Sequence, residues 1–206
     1  MKHAKMLGLA LVAVAVAIAF VGSGSASASV LCRTETNPCT SKWAAGTRLE
    51  FTLRSGTSAQ WRGIEGTPIK TCTNANLGGE ITNAGSGTES VKIRITEDSW
   101  TSCTVKTVTL RLGELEILNI SGSRNGTVNL KNAEFTTNDA LFGDCSYGTG
   151  ASIDMGTLTA SGTGDAVIDV NARLLPVGGA CCPEVVWTEE FTLTSPRETP
   201  LFVEPS

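Results

Sequence analysis

Residues 166–175 read AVIDVNARLL. Ala166, Ile168, Val170, Ala172 and Leu174 fall on one side of an extended chain, and Val167, Asp169, Asn171 and Arg173 on the other. Strict alternation is the mark of a strand with one face in a core and one in solvent. The same period recurs in RLEFTLR (48–54), where Leu49, Phe51 and Leu53 oppose Arg48, Glu50, Thr52 and Arg54. VKIRI (91–95) and VTLRL (108–112) repeat it. Thr, Val and Ile are plentiful, as a pleated surface favours.

Turn signals separate these runs: Ser55-Gly56, Gly78-Gly79, NAGSG (83–87), SGSRNG (121–126), YGTG (147–150), SGTG (161–164) and Gly178-Gly179. SGSRNG lies between LEILNI and TVNL, and Asn125-Gly126 reads as a hairpin turn. In VTLRLGELEIL the apolar face moves from Val108, Leu110 and Leu112 to Leu115 and Ile117, which predicts a β-bulge at Gly113-Glu114. Nine or ten closely spaced strands leave no room for crossover helices. The expected fold is all-β, an antiparallel β-sandwich or barrel, with no internal domain boundary.

The N-terminus carries a different pattern. Lys2 and Lys5 precede an unbroken apolar run from Met6 to Val21, then GSGSASAS. This is the layout of a helical signal peptide over residues 1–28, with Ala26-Ser27-Ala28 as the cleavage motif. Residues 29–206 then form one β domain. Leu31 stands where lipidation of Cys32 needs a small residue. Without Lys2 and Lys5, 14 basic residues face 20 acidic ones, a net charge of −6. The basic residues are scattered singly, which argues against nucleic acid and against an anionic membrane surface as partners. No membrane span is expected after cleavage.

His3 is the only histidine, and it leaves with the signal. A mature chain without imidazole has no Ser-His-Asp or Cys-His catalysis, no His-ligated metal and no histidine pH switch. No catalytic, metal or cofactor-binding residues are assigned, and no cofactor is expected.

Seven cysteines remain: Cys32, Cys39, Cys72, Cys103, Cys145, Cys181 and Cys182. In an exported chain they read as disulfides. Cys32 and Cys39 frame a short loop with a proline and should pair. Cys72–Cys103 is the next pairing, and Cys145 is left to join Cys181 or Cys182. A ring between the two adjacent cysteines is geometrically disfavoured, and Pro183 holds Cys182 extended, so they should have different partners. No C-x₂₋₄-C pair suggests zinc, and no C-x-x-C suggests redox catalysis.

Paired acids occur at Glu97-Asp98, Glu114 with Glu116, and Glu189-Glu190. Two carboxylates across a groove could serve a glycosidase. Solvent-facing positions explain Glu114 and Glu116 equally well, and Trp187 alternates with Val185 and Phe191 as a core residue would. GTGDAVID and TNDALFGD hold carboxylates but do not match a calcium loop. Asn119-Ile120-Ser121 and Asn125-Gly126-Thr127 are formal glycosylation sequons that read equally well as turn chemistry.

LCRTETNPCTSKWAAGTRLEFTLRSGTSA (31–59), TCT (71–73), GEITNAG (79–85), CTV (103–105), LLPVGGACCP (174–183) with Trp187, and the terminal TPLFV together form a pattern. It resembles a family of uncharacterised bacterial secreted cysteine-containing proteins with an L-C-x6-C start and a C-C-P-x3-W motif. The resemblance implies export and a shared fold, and no activity. It also implies a further cysteine shortly before Cys145, where this chain has ALFGD; that absence accounts for the odd count.

The functional expectation is an extracellular or cell-envelope module, structural or binding, with a protein or glycan as its ligand. The alternatives are a secreted carboxylate-dependent hydrolase acting on polysaccharide, and a protein that cross-links through a free thiol.

Overall fold

A computed structural model describes residues 28–139 and 142–206; the signal-peptide reading lies outside them. The described residues form strands and no helix. In chain order the strands are β1 (Ser29–Cys32), β2 (Arg48–Leu53), β3 (Ala59–Gly63), β4 (Pro68–Asn83), β5 (Val91–Cys103), β6 (Thr107–Arg111) and β7 (Glu114–Asn119). There follow β8 (Gly126–Lys131), β9 (Glu134–Asp139), β10 (Gly143–Gly148), β11 (Ile153–Thr159), β12 (Val167–Gly178), β13 (Val185–Ser195) and β14 (Phe202–Pro205).

The ladders settle the choice between sandwich and barrel. Starting at β13, antiparallel pairing passes through β2, β4, β5, β7, β8, β11 and β12 and returns to β13. The ring is closed, so no edge strand is left along it. The long strands β4, β5, β12 and β13 run on past this ring into a second one. There β13 pairs with β3 and β3 with β4; β12 pairs with β10, β10 with β9, and β9 with β6. At β5 and β6 the second ring is joined by side chains, with the Thr109 hydroxyl donating to the Asp98 carboxylate at 3.1 Å. β1 and β14 form a separate ladder, and Ser29 Oγ donates to the Ile117 carbonyl at 2.7 Å.

The alternation read in AVIDVNARLL holds. Ile168, Val170, Ala172 and Leu174 are buried, and Asp169, Asn171 and Arg173 face solvent. The described residues form fourteen strands rather than nine or ten. The short β1 and β14 were not resolved by pattern, and β2 and β3 lie end to end between β13 and β4, divided by residues 54–58.

VTLRLGELEIL is not one bulged strand. It is β6 and β7, which pair with different partners in different rings. Gly113 makes the break at φ +78°, and a Cβ there would strike the Lys131 carbonyl and come within 2.9 Å of Ala133 N. Gly113→Ala is therefore expected to cost about 2–3 kcal/mol. Gly87→Ala, in open space, should stay within about 0.5 kcal/mol. Urea midpoints of the two variants test this, and equal midpoints would refute it.

The β7–β8 hairpin forms as expected, but its turn is not Asn125-Gly126. The residue at positive φ is Gly122. Gly126 is inside β8, where a Cβ would meet Ile117 Cγ2 at 2.6 Å.

Three disulfides staple the described residues: Cys32–Cys39, Cys72–Cys103 and Cys145–Cys182. Cys72 and Cys103 sit opposite one another in the β4–β5 ladder. Bonds of this kind persist in oxidising compartments. No helix of the described residues is long and apolar enough to cross a membrane.

Candidate functional site

The interior of the second ring is an aromatic box. Trp61 is at its centre, fully buried, with ring centroids of Tyr147 at 5.4 Å, Phe135 at 5.9 Å, Trp100 at 6.0 Å and Trp187 at 6.2 Å. Most of these contacts are edge-to-face, the geometry that places positive ring edges on negative faces.

Three ionisable groups enter this box. Lys70 alternates inward with Cys72 on β4 and is 1% exposed. Its Nζ lies 3.8 Å from the Trp100 centroid and 4.5 Å from that of Trp61, and makes no hydrogen bond. Two π faces thus solvate the amine in place of water. Glu189 alternates inward with Val185, Trp187 and Phe191 on β13 and is 3% exposed. Its Oε2 accepts from Trp187 Nε1 at 2.8 Å and from Trp100 Nε1 at 3.3 Å; Oε1 has no partner. Asp98 on β5 is partly buried and held by Thr109.

Burial dominates the electrostatics. It drives the Lys70 amine down to about 7, against the pull of the Glu189 and Asp98 charges. It pushes Glu189 up to about 8, against the two indole donors, and Asp98 up to about 7, against the Thr109 hydroxyl and Lys70. All three therefore exchange protons near neutrality, as groups tuned for proton transfer do.

The acid pairs of the sequence are redistributed. Glu97 and Asp98 diverge: Glu97 pairs with Arg48 on the surface while Asp98 turns in. Glu189 and Glu190 also part, and Glu190 binds Arg54 at 2.8 Å. Glu116 is held by Lys131 and Ser90, and its carboxyl is kept below the usual range by those hydrogen bonds. The acids that approach one another are thus Asp98 and Glu189, which come from two different sequence pairs and feel each other's charge. Lys70 was missed by sequence reading; its shared parity with Cys72 was the available signal.

Among the described residues, no group of three or more His, Cys, Asp or Glu is placed to hold a metal ion. Neither sequon is an idle loop. Asn119 Nδ2 donates to the Val203 carbonyl at 2.6 Å, and Asn125 Oδ1 accepts from Ala160 N at 2.9 Å.

The double cysteine divides as expected. Cys182 bonds to Cys145, and Cys181 carries an exposed thiol at φ +61°. One thiol per native chain should react with a thiol reagent, and Cys181→Ser should abolish the reaction while shifting stability by less than about 0.5 kcal/mol. Labelling at any other cysteine would contradict the pairing.

On the surface, the gap between β2 and β3 leaves a groove of about 390 Å³, with Thr57, Ser58 and Gln60 on one side and Asp169, Asn171 and Glu190 on the other. No protein-family model matches this chain, and no curated protein or solved structure does either.

Proposed function

We propose that the protein is an exported β-barrel module that binds a polar extracellular ligand, a glycan above all. The observation that carries this reading is the groove at the β2–β3 interruption. Gln60, Asp169, Asn171 and Glu190 stand on laddered strands and Thr57 and Ser58 on the segment between β2 and β3, an arrangement that orients hydrogen bonds to a polyhydroxyl chain. Three disulfides and the signal-type pattern of residues 1–28 support export. The cysteine pattern supports membership of the secreted bacterial family it resembles.

A panel of soluble bacterial and plant glycans tests the reading by calorimetry. Binding by the intact protein that weakens at least tenfold in Asp169→Ala/Asn171→Ala is the expected result. No binding across the panel would leave a structural role instead.

The hydrolase alternative would use Asp169 and Glu190, which face each other across the β12–β13 ladder and share this groove. Release of reducing ends that stops in Glu190→Gln would favour it over simple binding.

A further inference from the structure

Lys70 Nζ and Glu189 Oε1 are buried in the aromatic box without hydrogen-bond partners, as is Nε1 of the central Trp61. An ammonium and a carboxyl enclosed together without contact is a costly arrangement. The two side chains come from β4 and β13, which flank β3 on either side. Two ladder spacings, about 10 Å, separate those strands. Glu189 lies two residues along β13 from Trp187, which is in register with Trp61 and through it with Lys70, so the two side chains would meet on a diagonal past Trp61.

We propose that Lys70 and Glu189 become joined in the folded protein by an isopeptide bond, Lys70 Nζ to Glu189 Cδ, formed with loss of one water. The bond removes both orphaned atoms at once. Oε1 departs as water, and Nζ becomes a neutral amide nitrogen lying against aromatic faces. Oε2 remains as the amide carbonyl and keeps its two indole donors.

The groups the reaction needs share the box and feel one another's charge, and the step requires Lys70, which forms no ion pair with either acid, to swing onto Glu189. The unprotonated amine of Lys70 attacks Cδ of the protonated Glu189 carboxyl. Negative charge develops on Oε2, where Trp100 Nε1 and Trp187 Nε1 already point, as paired donors do in an oxyanion hole. The Asp98 carboxylate takes one proton from the attacking nitrogen and returns it to Oε1, which leaves as water. No oxidant or other reactant is consumed. Burial favours the unprotonated Lys70 and the protonated Glu189, while, against its burial, the Asp98 carboxylate is favoured by the Thr109 hydroxyl and the Lys70 charge. The aromatic walls exclude the water that would otherwise compete or reverse the step, and the fold holds the reactants at high effective concentration.

Mass spectrometry of the exported, mature, full-length chain decides the matter. After reduction of the disulfides and sequencing of the N-terminus, the intact mass should be one water below that of the sequence. A protease digest should contain a branched peptide linking Lys70 to Glu189. Lys70→Met and Glu189→Ala should each restore the full sequence mass. Unmodified peptides covering Lys70 and Glu189 in the wild-type digest would overturn the proposal, whether or not the variants fold. A branch from Lys70 to Asp98 would overturn the choice of Glu189 as acceptor.

Discussion

Trp61→Ala should lower the unfolding free energy by about 3–5 kcal/mol, the range for deleting a buried indole. Trp61 has no exposed surface, and four aromatic rings lean on it. Removing it leaves a cavity that neighbours on three ladders cannot collapse into without breaking register. It also strips one of the two π faces from Lys70. At about 2–4 °C per kcal/mol for a chain of this size, the melting temperature falls by at least several degrees. Trp61→Phe, which refills part of the volume, should cost less than half as much. Thermal melts followed by near-ultraviolet dichroism measure both. A loss below about 1 kcal/mol in the alanine variant would mean that the box is not the keystone of the second ring.

The second large effect is on pH. Stability should fall as pH rises from about 4.5 to 7, so that the optimum lies on the acidic side of the usual range. The sign follows from Asp98. Its carboxyl is raised from 3.8 to about 7 in the fold, chiefly by burial. A group raised this way favours the folded state while protonated, so its contribution is complete below the unfolded value and is lost as pH climbs through the folded one. The ceiling is about 4 kcal/mol, reduced by the solvent that reaches the edge of Asp98. Glu189, raised from 4.5 to about 8, acts in the same direction for as long as its carboxyl is free. Free Lys70 is lowered from 10.5 to about 7, so its penalty on the fold is relieved only as pH rises above 7, outside the window. Glu116, lowered from 4.5, contributes stability that is lost on acidification below that value, also outside the window. Urea denaturation at pH 4.5, 6 and 7.5 gives the profile. A midpoint that rises or stays level across these values would rule out a buried, protonated Asp98.

The two effects meet at the same residues, and those residues show how far sequence reading reaches. Glu189 was legible in principle. Val185, Trp187 and Phe191 establish the inward parity of β13, and Glu189 shares it. Its acidic neighbour Glu190 has the opposite parity, so the two cannot share a face of the strand. Asp98 was not legible. Val91, Ile93 and Ile95 place odd positions inward on β5, which sends Asp98 to solvent. The β4–β5 ladder then shifts, with Gly79 opposite Ile95 but Gly78 opposite Glu97. The skipped Thr96 reverses the parity, and Asp98 and Trp100 turn into the box. A bulge is set by the partner strand, so nothing local to residues 91–100 announces it.

Features that are short-range or absolute could be read from residues alone. Period-two alternation specifies strands and their faces because side chains of an extended chain leave opposite sides of it. The Cys32–Cys39 pairing follows from a short loop, and the lack of imidazole beyond residue 3 needs no structure at all. Tertiary structure alone decided that the ladders close into rings, that Cys145 takes Cys182 and leaves Cys181 exposed, and that Lys70, Asp98 and Glu189 meet. Each depends on register between strands distant in sequence. Register is set by the whole set of ladders, where a one-residue slip inverts every face beyond it.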